Sequence, residues 1–403
     1  MARGHKIIGL DIGTSKIKLV VAQKTEGVEQ LEILDVATYP SFGMRKGVVI
    51  NPEEISKSII ETINKIKESA DYKIESCYVN LGGSHVFAIP SRGVVAVSRA
   101  DRIISEEDIK RVLEIAENIS LPNKRILDTI PVQFIIDSEG GIKNALGMSG
   151  VRLEVEALLL GGLVPYIDNL TNSVLGSDLE INNLFISSLA TARSCLTPRQ
   201  KEIGVAVLDI GAETTGFAVF QEGDLKLLSI FPIGSNHITN DIAIGLKCEV
   251  EIAERIKQEY GIASSQWVQK KDIVDISSTL GSPLVFSRKK LAEIIEARIS
   301  DIFDLVKKEF KKMPKELLLP GGIVLTGGGS NLPKIIDLAK KELKLPCHSG
   351  LPQGFAKPIE DPSLATVCGL VLLGSDFEES GNSGKKKPRT SSWLRGVFRT
   401  FIP

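Results

Sequence analysis

At 403 residues the chain exceeds what a single hydrophobic core organises, and it suits two domains or two domains with subdomains. Its 43% hydrophobic and 25% charged residues are ordinary for a globular protein, and a formal net charge of −1 gives no basic excess for a nucleic-acid partner. The cysteines Cys77, Cys195, Cys248, Cys347 and Cys368 lie far apart without a C-x-x-C pair, which argues against zinc and disulfides and for a reducing cytoplasm.

The first expected element is a strand–turn–strand, IIGLDIGTSKIKLVV over 7–21. It begins so near the N-terminus that no secretory signal peptide is expected before it. A third strand over 30–40 and a helix over 52–70 follow, the helix capped by Asn51 with Pro52 at its first position. Residues 76–81 read as a strand ending at Gly82-Gly83. From 84 to 160 the character changes. Short strands are expected over 86–90, 93–98, 127–137, 150–155 and 157–160, with a helix over 105–119 capped by Ser105. This block is expected to be a small α+β subdomain inserted in the first half-molecule. His85, at its entrance, reads as a loop or surface residue rather than a ligand.

The first half resumes with a helix over 165–176, a strand over 184–186 and a small-residue helix over 187–195 that connects to the second half. There the opening pattern returns as VLDIGAETTGFAVF over 207–220, followed by a strand over 225–232. Helices are expected over 234–246 and 249–260, the latter ended by Gly261 as its C′ residue. A long amphipathic helix spans 287–312. A buried strand then breaks into three glycines within GGIVLTGGGSNLP, 321–333. A helix over 334–343, a short strand and a helix over 362–373 complete the folded part. After Gly374 the chain turns polar, and the last thirteen residues become apolar again.

The two Asp-Ile-Gly turns carry the chemistry. Glycine lets backbone N–H groups approach phosphate oxygens, and the Thr and Ser hydroxyls add donors. Asp11 and Asp209, each ending a buried strand, are placed to hold a hydrated Mg²⁺. Candidate nucleotide-binding residues are therefore Gly13, Thr14, Ser15, Lys16 and Lys18 in the first turn and Gly211, Ala212, Thr214 and Thr215 in the second. Lys16 and Lys18 are read as neighbours on opposite faces of a strand, with Lys16 in the turn itself, so at most one is expected to face the phosphates. Gly327, Gly328, Gly329 and Ser330 form a third candidate turn.

Three such turns in this order resemble the actin, Hsp70 and sugar-kinase superfamily. The resemblance implies an α/β, actin-like (ribonuclease H-like) two-domain ATPase fold, with two turns clamping the phosphates of ATP and the third backing the adenine. AERIK, 253–257, resembles the superfamily helix that contacts ribose and base, at Glu254 and Lys257; as a plain i,i+3 pair it needs no nucleotide. Within the superfamily the chain resembles the FtsA family of bacterial division proteins over nearly its whole length. The resemblance rests on the opening GLDIGTSK, the insertion at 84–160, PSLATVCGL over 362–370, and the tail. The position of the insertion sets that family apart from actin and MreB. Ala212, where many relatives have Gly, is a departure.

The implied division is 1–83 with 161–195 as the first core subdomain, 84–160 as the insertion, and 196–226 with 304–375 as the second core subdomain. Residues 227–303 form a smaller subdomain over the cleft, 376–390 a flexible linker, and 391–403 an amphipathic membrane-targeting helix. On a helical wheel Trp393, Leu394, Val397, Phe398 and Phe401 fall within an arc of about 140°, with Arg395 and Arg399 just outside it. Basic residues near an anionic surface contribute about 1 kcal/mol each.

The resemblance implies an ATP-binding adaptor that self-associates, helps recruit later division proteins, and tethers the tubulin-like FtsZ polymer to the cytoplasmic face of the inner membrane. The FtsZ C-terminal peptide is expected near Arg298 and Asp301, which share a helix face and could equally be a surface ion pair. Two alternatives stand beside this reading. One is a PilM-like pilus-assembly adaptor. The other is a superfamily ATPase or sugar kinase, which needs a carboxylate base placed against a substrate hydroxyl. No such motif stands out, so at most weak ATPase activity is expected.

Overall fold

The computed structural model describes residues 5–25, 27, 30–70, 73–277, 284–313 and 318–381. The expected membrane-facing residues Trp393, Leu394, Val397, Phe398 and Phe401 lie outside the described residues. Among the described residues no helix is long and apolar enough to cross a membrane.

The first half is laid down by β1 (His5–Ile12), β2 (Lys16–Lys24), β3 (Glu32–Pro40), a small hairpin of β4 (Met44–Arg45) and β5 (Val48–Val49), α1 (Pro52–Ser69) and β6 (Ser76–Leu81). Asn51 caps α1 by accepting the Glu54 N–H at 3.4 Å. The insertion supplies β7 (Phe87–Ala96), α2 (Glu106–Glu117), β8 (Lys124–Ile136), β9 (Glu139–Ile142) and β10 (Arg152–Leu163). The half then closes with α3 (Val164–Leu175), β11 (Glu180–Ile186) and α4 (Ser187–Cys195). A short α5 (Pro198–Ile203), which the sequence reading passed over, starts from a Thr197–Gln200 capping box.

The second half contains β12 (Val205–Ile210), β13 (Thr215–Gln221), β14 (Asp224–Phe231), α6 (Ser235–Leu246) and α7 (Val250–Tyr260). It continues through β15 (Ile273–Asp275), β16 (Val285–Ser287), α8 (Arg288–Phe310), β17 (Ile323–Thr326), α9 (Ile335–Leu343), β18 (Cys347–Ser349) and α10 (Ala365–Gly381).

The strand orders reveal a duplication. The first sheet reads β11-β6-β1-β2-β3 and the second, inverted, β18-β17-β12-β13-β14. In each the central strand is antiparallel to the second arm of its hairpin and parallel to its other neighbour. Both central strands are buried on both faces, so they read as continuous apolar runs. Ile55, Ile59, Ile63 and Ile66 of α1 pack beneath the first sheet with Leu10, Leu19 and Val79. Each such buried side chain contributes roughly 1.5–3 kcal/mol. Ile295, Ile299, Ile302 and Phe303 of α8 do the same beneath the second sheet with Leu208 and Phe217.

The halves are crossed by two helices. α4 leaves the first half, and α10 returns from the second to cover Ile7, Val20 and Tyr78 with Leu370 and Val371. At their crossing Gly369 lies on the Ala190 backbone, where any Cβ would overlap the Ala190 carbonyl. The Ser194 hydroxyl donates to the Ala365 carbonyl at 2.7 Å, and Arg193 forms a forked ion pair with Asp376.

Several expectations change. The paired short strands of the insertion are two continuous strands, β7 and β10, paired from Ala96–Arg152 to Phe87–Gly161. Pro90 does not break β7, because this is an edge strand whose missing N–H can face away from the ladder. The last helix does not end at 373 but runs to Gly381, so 376–381 is helical rather than linker. Phe377 packs edge-on against Tyr78, and Glu378 accepts the Tyr78 hydroxyl at 3.0 Å and pairs with His5. Gly261 ends α7 without a left-handed conformation (φ −65°); glycine is needed there because a Cβ would overlap the Lys257 carbonyl.

Candidate nucleotide cleft

The two hairpin turns face one another across a cleft of about 590 Å³, a size ordinary for a small-ligand site. They are built alike. The Gly13 N–H donates to the Lys16 carbonyl at 3.2 Å, and the Gly211 N–H to the Thr214 carbonyl at 2.9 Å. Asp11 pairs in register with Lys18, and Asp209 with Gly216, so both carboxylates stand just before a turn.

Gly13, Thr14, Ser15, Lys16 and Lys18 line the cleft on one side, with Gly211, Ala212 and Thr214 opposite. Asp11, Asp209, Gly327, Gly328, Gly329, Glu254 and Lys257 line the same cleft. Three expectations need correction. Thr215 does not reach the cleft: it is fully buried as the first residue of β13, and its hydroxyl donates to the Ile233 carbonyl at 2.7 Å. Ser330 turns inward, its hydroxyl closing its own 3₁₀ turn on the Gly327 carbonyl at 2.8 Å. Lys16 and Lys18 both line the cleft, because residues two apart on a strand share a face.

Burial raises the Asp11 pKa; the Lys18 ammonium opposes this and the Asp209 carboxylate adds to it. Asp11 accepts from Asn80 at 2.8 Å and from Lys18 at 3.3 Å. The Lys18 ammonium also donates to the Ser363 carbonyl at 2.6 Å, so it is tied to the second crossing of the chain. On the other side Asp209 Oδ2 accepts from Thr191 of α4 at 2.8 Å and from Thr366 of α10 at 3.0 Å. The helices that cross between the halves therefore meet at one carboxylate oxygen.

Glu254 and Lys257 form more than a solvated pair. They lie 2.6 Å apart, and the buried Lys257 ammonium also donates to Thr239 at 2.8 Å and to the Ser235 carbonyl at 3.2 Å. Burial would raise the Glu254 pKa, but hydrogen bonds from Lys257 and Thr239 hold it below the usual carboxylate value. Arg298 and Asp301, on α8, lie in a different network. Arg298 grips Asp241 through two bonds of 2.6 and 3.0 Å and reaches Asp301 at 3.0 Å. His85, expected in a loop or at the surface, lies in the turn between β6 and β7 but is buried there against Tyr166, with ring centroids 4.8 Å apart.

The sequence reading missed Asn80, Ser187, Ser188, Thr191 and Thr366. Asn80 carried a signal, as the one amide inside the apolar run 76–81. Ser188 Oγ, on a residue 1% exposed at the cleft wall, has no hydrogen-bond partner among the described residues.

Duplicated sheets closing on paired Asp-Gly turns, with two crossing helices behind, define an actin-like α/β protein. Solved structures show the same fold. A PilM–PilN type IV pilus biogenesis complex chain matches with TM-score 0.67 and 18% identity, covering 91% of this chain and 98% of that one. MreB5 of Spiroplasma citri bound to ADP matches with TM-score 0.57 and 15% identity, over 94% and 99%. The family model described as Cell division protein FtsA matches residues 206–369, and the model for the SHS2 domain inserted in FTSA matches residues 83–160. Cell division protein FtsA of Pseudomonas aeruginosa is 36% identical, covering 94% of this chain and 92% of the relative. That of Bacillus subtilis is 34% identical, over 92% and 84%. The chain belongs to the FtsA family of cell division proteins.

Proposed function

We propose that this chain is an ATP-binding division adaptor, in which the nucleotide sets the relation of the two halves and other surfaces do the binding. The observation that carries the reading is the pair of matched turns around Asp11 and Asp209. Turn N–H groups, hydroxyls and two lysines suit polyphosphate, and the part lined by Glu254, Lys257 and the 327–329 glycines suits ribose and base. Mg²⁺ fits the donor set: Asp11 and Asp209 are hard oxygen donors on facing turns, and bound waters would complete the shell. When bound, Mg²⁺ would neutralise phosphate charge and polarise the terminal phosphate. The cleft's own residues do the orienting. Lys18 compensates Asp11, while Thr191 and Thr366 hold the Asp209 carboxylate in place. In this reading turnover is slow, and the nucleotide acts through a population shift between open and closed halves.

In this proposal the chain self-associates, helps recruit later division proteins, and tethers FtsZ to the cytoplasmic face of the inner membrane. The FtsZ C-terminal peptide docks on the 227–303 subdomain near Arg298 and Asp301, and residues 391–403 hold anionic lipid through Trp393, Leu394, Val397, Phe398 and Phe401. Calorimetric titration of the full chain tests the reading in two arms. ATP with Mg²⁺ is expected to bind one to one, and Gly327→Val, whose side chain would overlap Asp209, is expected to abolish it. The FtsZ tail peptide is expected to bind the parent chain and Asp241→Asn but not Arg298→Glu. Absence of ATP binding would overturn the first arm, and unchanged peptide affinity in Arg298→Glu the second.

A further inference from the structure

The small hairpin between β3 and α1 reaches from one phosphate turn of the cleft to the other. Its two tip residues, Lys46 and Gly47, have φ of 49° and 74°. Positive φ at both central residues marks a primed two-residue turn, whose backbone is set before anything binds. The tip touches both phosphate turns. The Gly47 N–H donates to Thr14 Oγ1 of the first turn at 3.3 Å, and the Lys46 N–H donates to Glu213 Oε2 of the second at 2.6 Å. The fit is close: a Cβ on Gly47 would lie 2.9 Å from Thr214 Cγ2 and 2.8 Å from Gly83 Cα. Met44 and Gly47 line the cleft, so the inner side of the hairpin is part of its wall.

We propose that this hairpin is a strap over the phosphate end of the cleft, fastened by the Glu213 carboxylate. The proposal rests on the nucleotide reading above and adds to it the residue that governs exchange. Phosphates seated between the turns at 13–15 and 211–214 would lie under the tip. They cannot leave by that end until the Lys46–Glu213 bond breaks, and a hydrogen bond to a carboxylate is among the stronger ones. Glu213 also adds a negative charge at the rim, which opposes an entering polyphosphate. The fastening gates passage in both directions, and the charge adds to the barrier on entry. A lid of this kind sets exchange rates more than the resting contacts of the ligand.

Two substitutions separate the effects. Glu213→Ala removes fastening and charge together, whereas Glu213→Gln removes the charge but keeps an amide oxygen that accepts the Lys46 N–H. The measurement is stopped-flow release of a fluorescent ATP analogue, with Mg²⁺, from the full-length chain. Release from Glu213→Ala is expected about tenfold faster than from the parent, and from Glu213→Gln within about threefold. Entry is expected to speed up in both, with a smaller gain at high salt. A second measurement needs no nucleotide. Amide hydrogen exchange at Lys46 is expected to rise about tenfold in Glu213→Ala and to stay near the parent rate in Glu213→Gln. Unchanged release of a bound analogue from Glu213→Ala, or unchanged Lys46 exchange, overturns the strap. If the parent chain binds no analogue, the nucleotide reading falls, and Lys46 exchange alone then decides whether Glu213 fastens the tip.

Discussion

His85 stands where the chain enters and leaves the inserted subdomain, between Gly83 and Gly162. Both its ring nitrogens are buried without hydrogen-bond partners among the described residues, and burial pushes its pKa down from 6.5 to about 4. The unfolded chain therefore takes up a proton before the folded one does. Stability from this residue is complete above about pH 6.5 and declines as pH falls toward 4, by at most about 3 kcal/mol. Urea midpoints compared at pH 7 and pH 4.5 check this, since His85→Leu should shrink the difference between them. At this scale the sequence was readable where chemistry follows the backbone. Glycines and hydroxyls after Asp11 and Asp209 had to form tight turns. It was not readable where a side chain chooses between equivalent neighbours. Thr214 and Thr215 look alike, and only the pairing of β13 with β14 sends the second hydroxyl to Ile233.

Among the elements, α2 leans heavily on one side chain. Asp108 is fully buried and accepts from the Ser105 N–H, the Ser105 hydroxyl, the Ser98 N–H, the Ser98 hydroxyl and the Arg111 guanidinium. Burial alone would raise its pKa, but the bonds from Ser105 and Ser98 win and hold it well below the usual carboxylate range. Its folded-state value lies below the unfolded one, so its contribution is present above about pH 4 and is lost as pH falls further. Asp108→Ala should destabilise the inserted subdomain by about 3 kcal/mol, and Ser105→Ala by about 1 kcal/mol, measured as lost amide protection in α2. The sequence showed the cap and the acidic first turn. It could not show that the same carboxylate reaches back to the end of β7 and pins helix to sheet. For the same reason β7 and β10 looked broken. Polar or conformationally special residues interrupt each run, yet in the sheet they fall on an exposed edge or at a bulge.

For the whole molecule, the repeated strand–turn–strand made the duplication visible in advance, because each copy carries its own buried strand and phosphate turn. How the copies are joined was hidden, since Thr191 and Thr366 are ordinary small polar residues until α4 and α10 cross at Asp209. Gly369→Ala tests that junction. Its methyl would overlap the Ala190 carbonyl, and overpacking of this kind costs about 3 kcal/mol. An earlier thermal melt is the expected result, and an unchanged melt would show that the helices slide freely. The contact of Gly369 with Ala190 has a mechanical meaning. Two helices touching backbone to backbone resist translation along one another but can still turn about the point of contact. The crossing is then a pivot at the rear of the cleft, and the Lys46–Glu213 bond is a clasp at the front. Arg193 and Asp376 tie the two helices together a second time, and Phe377 and Glu378 hold the end of the last helix to Tyr78 and His5, so that helix travels with the first sheet when the jaws open.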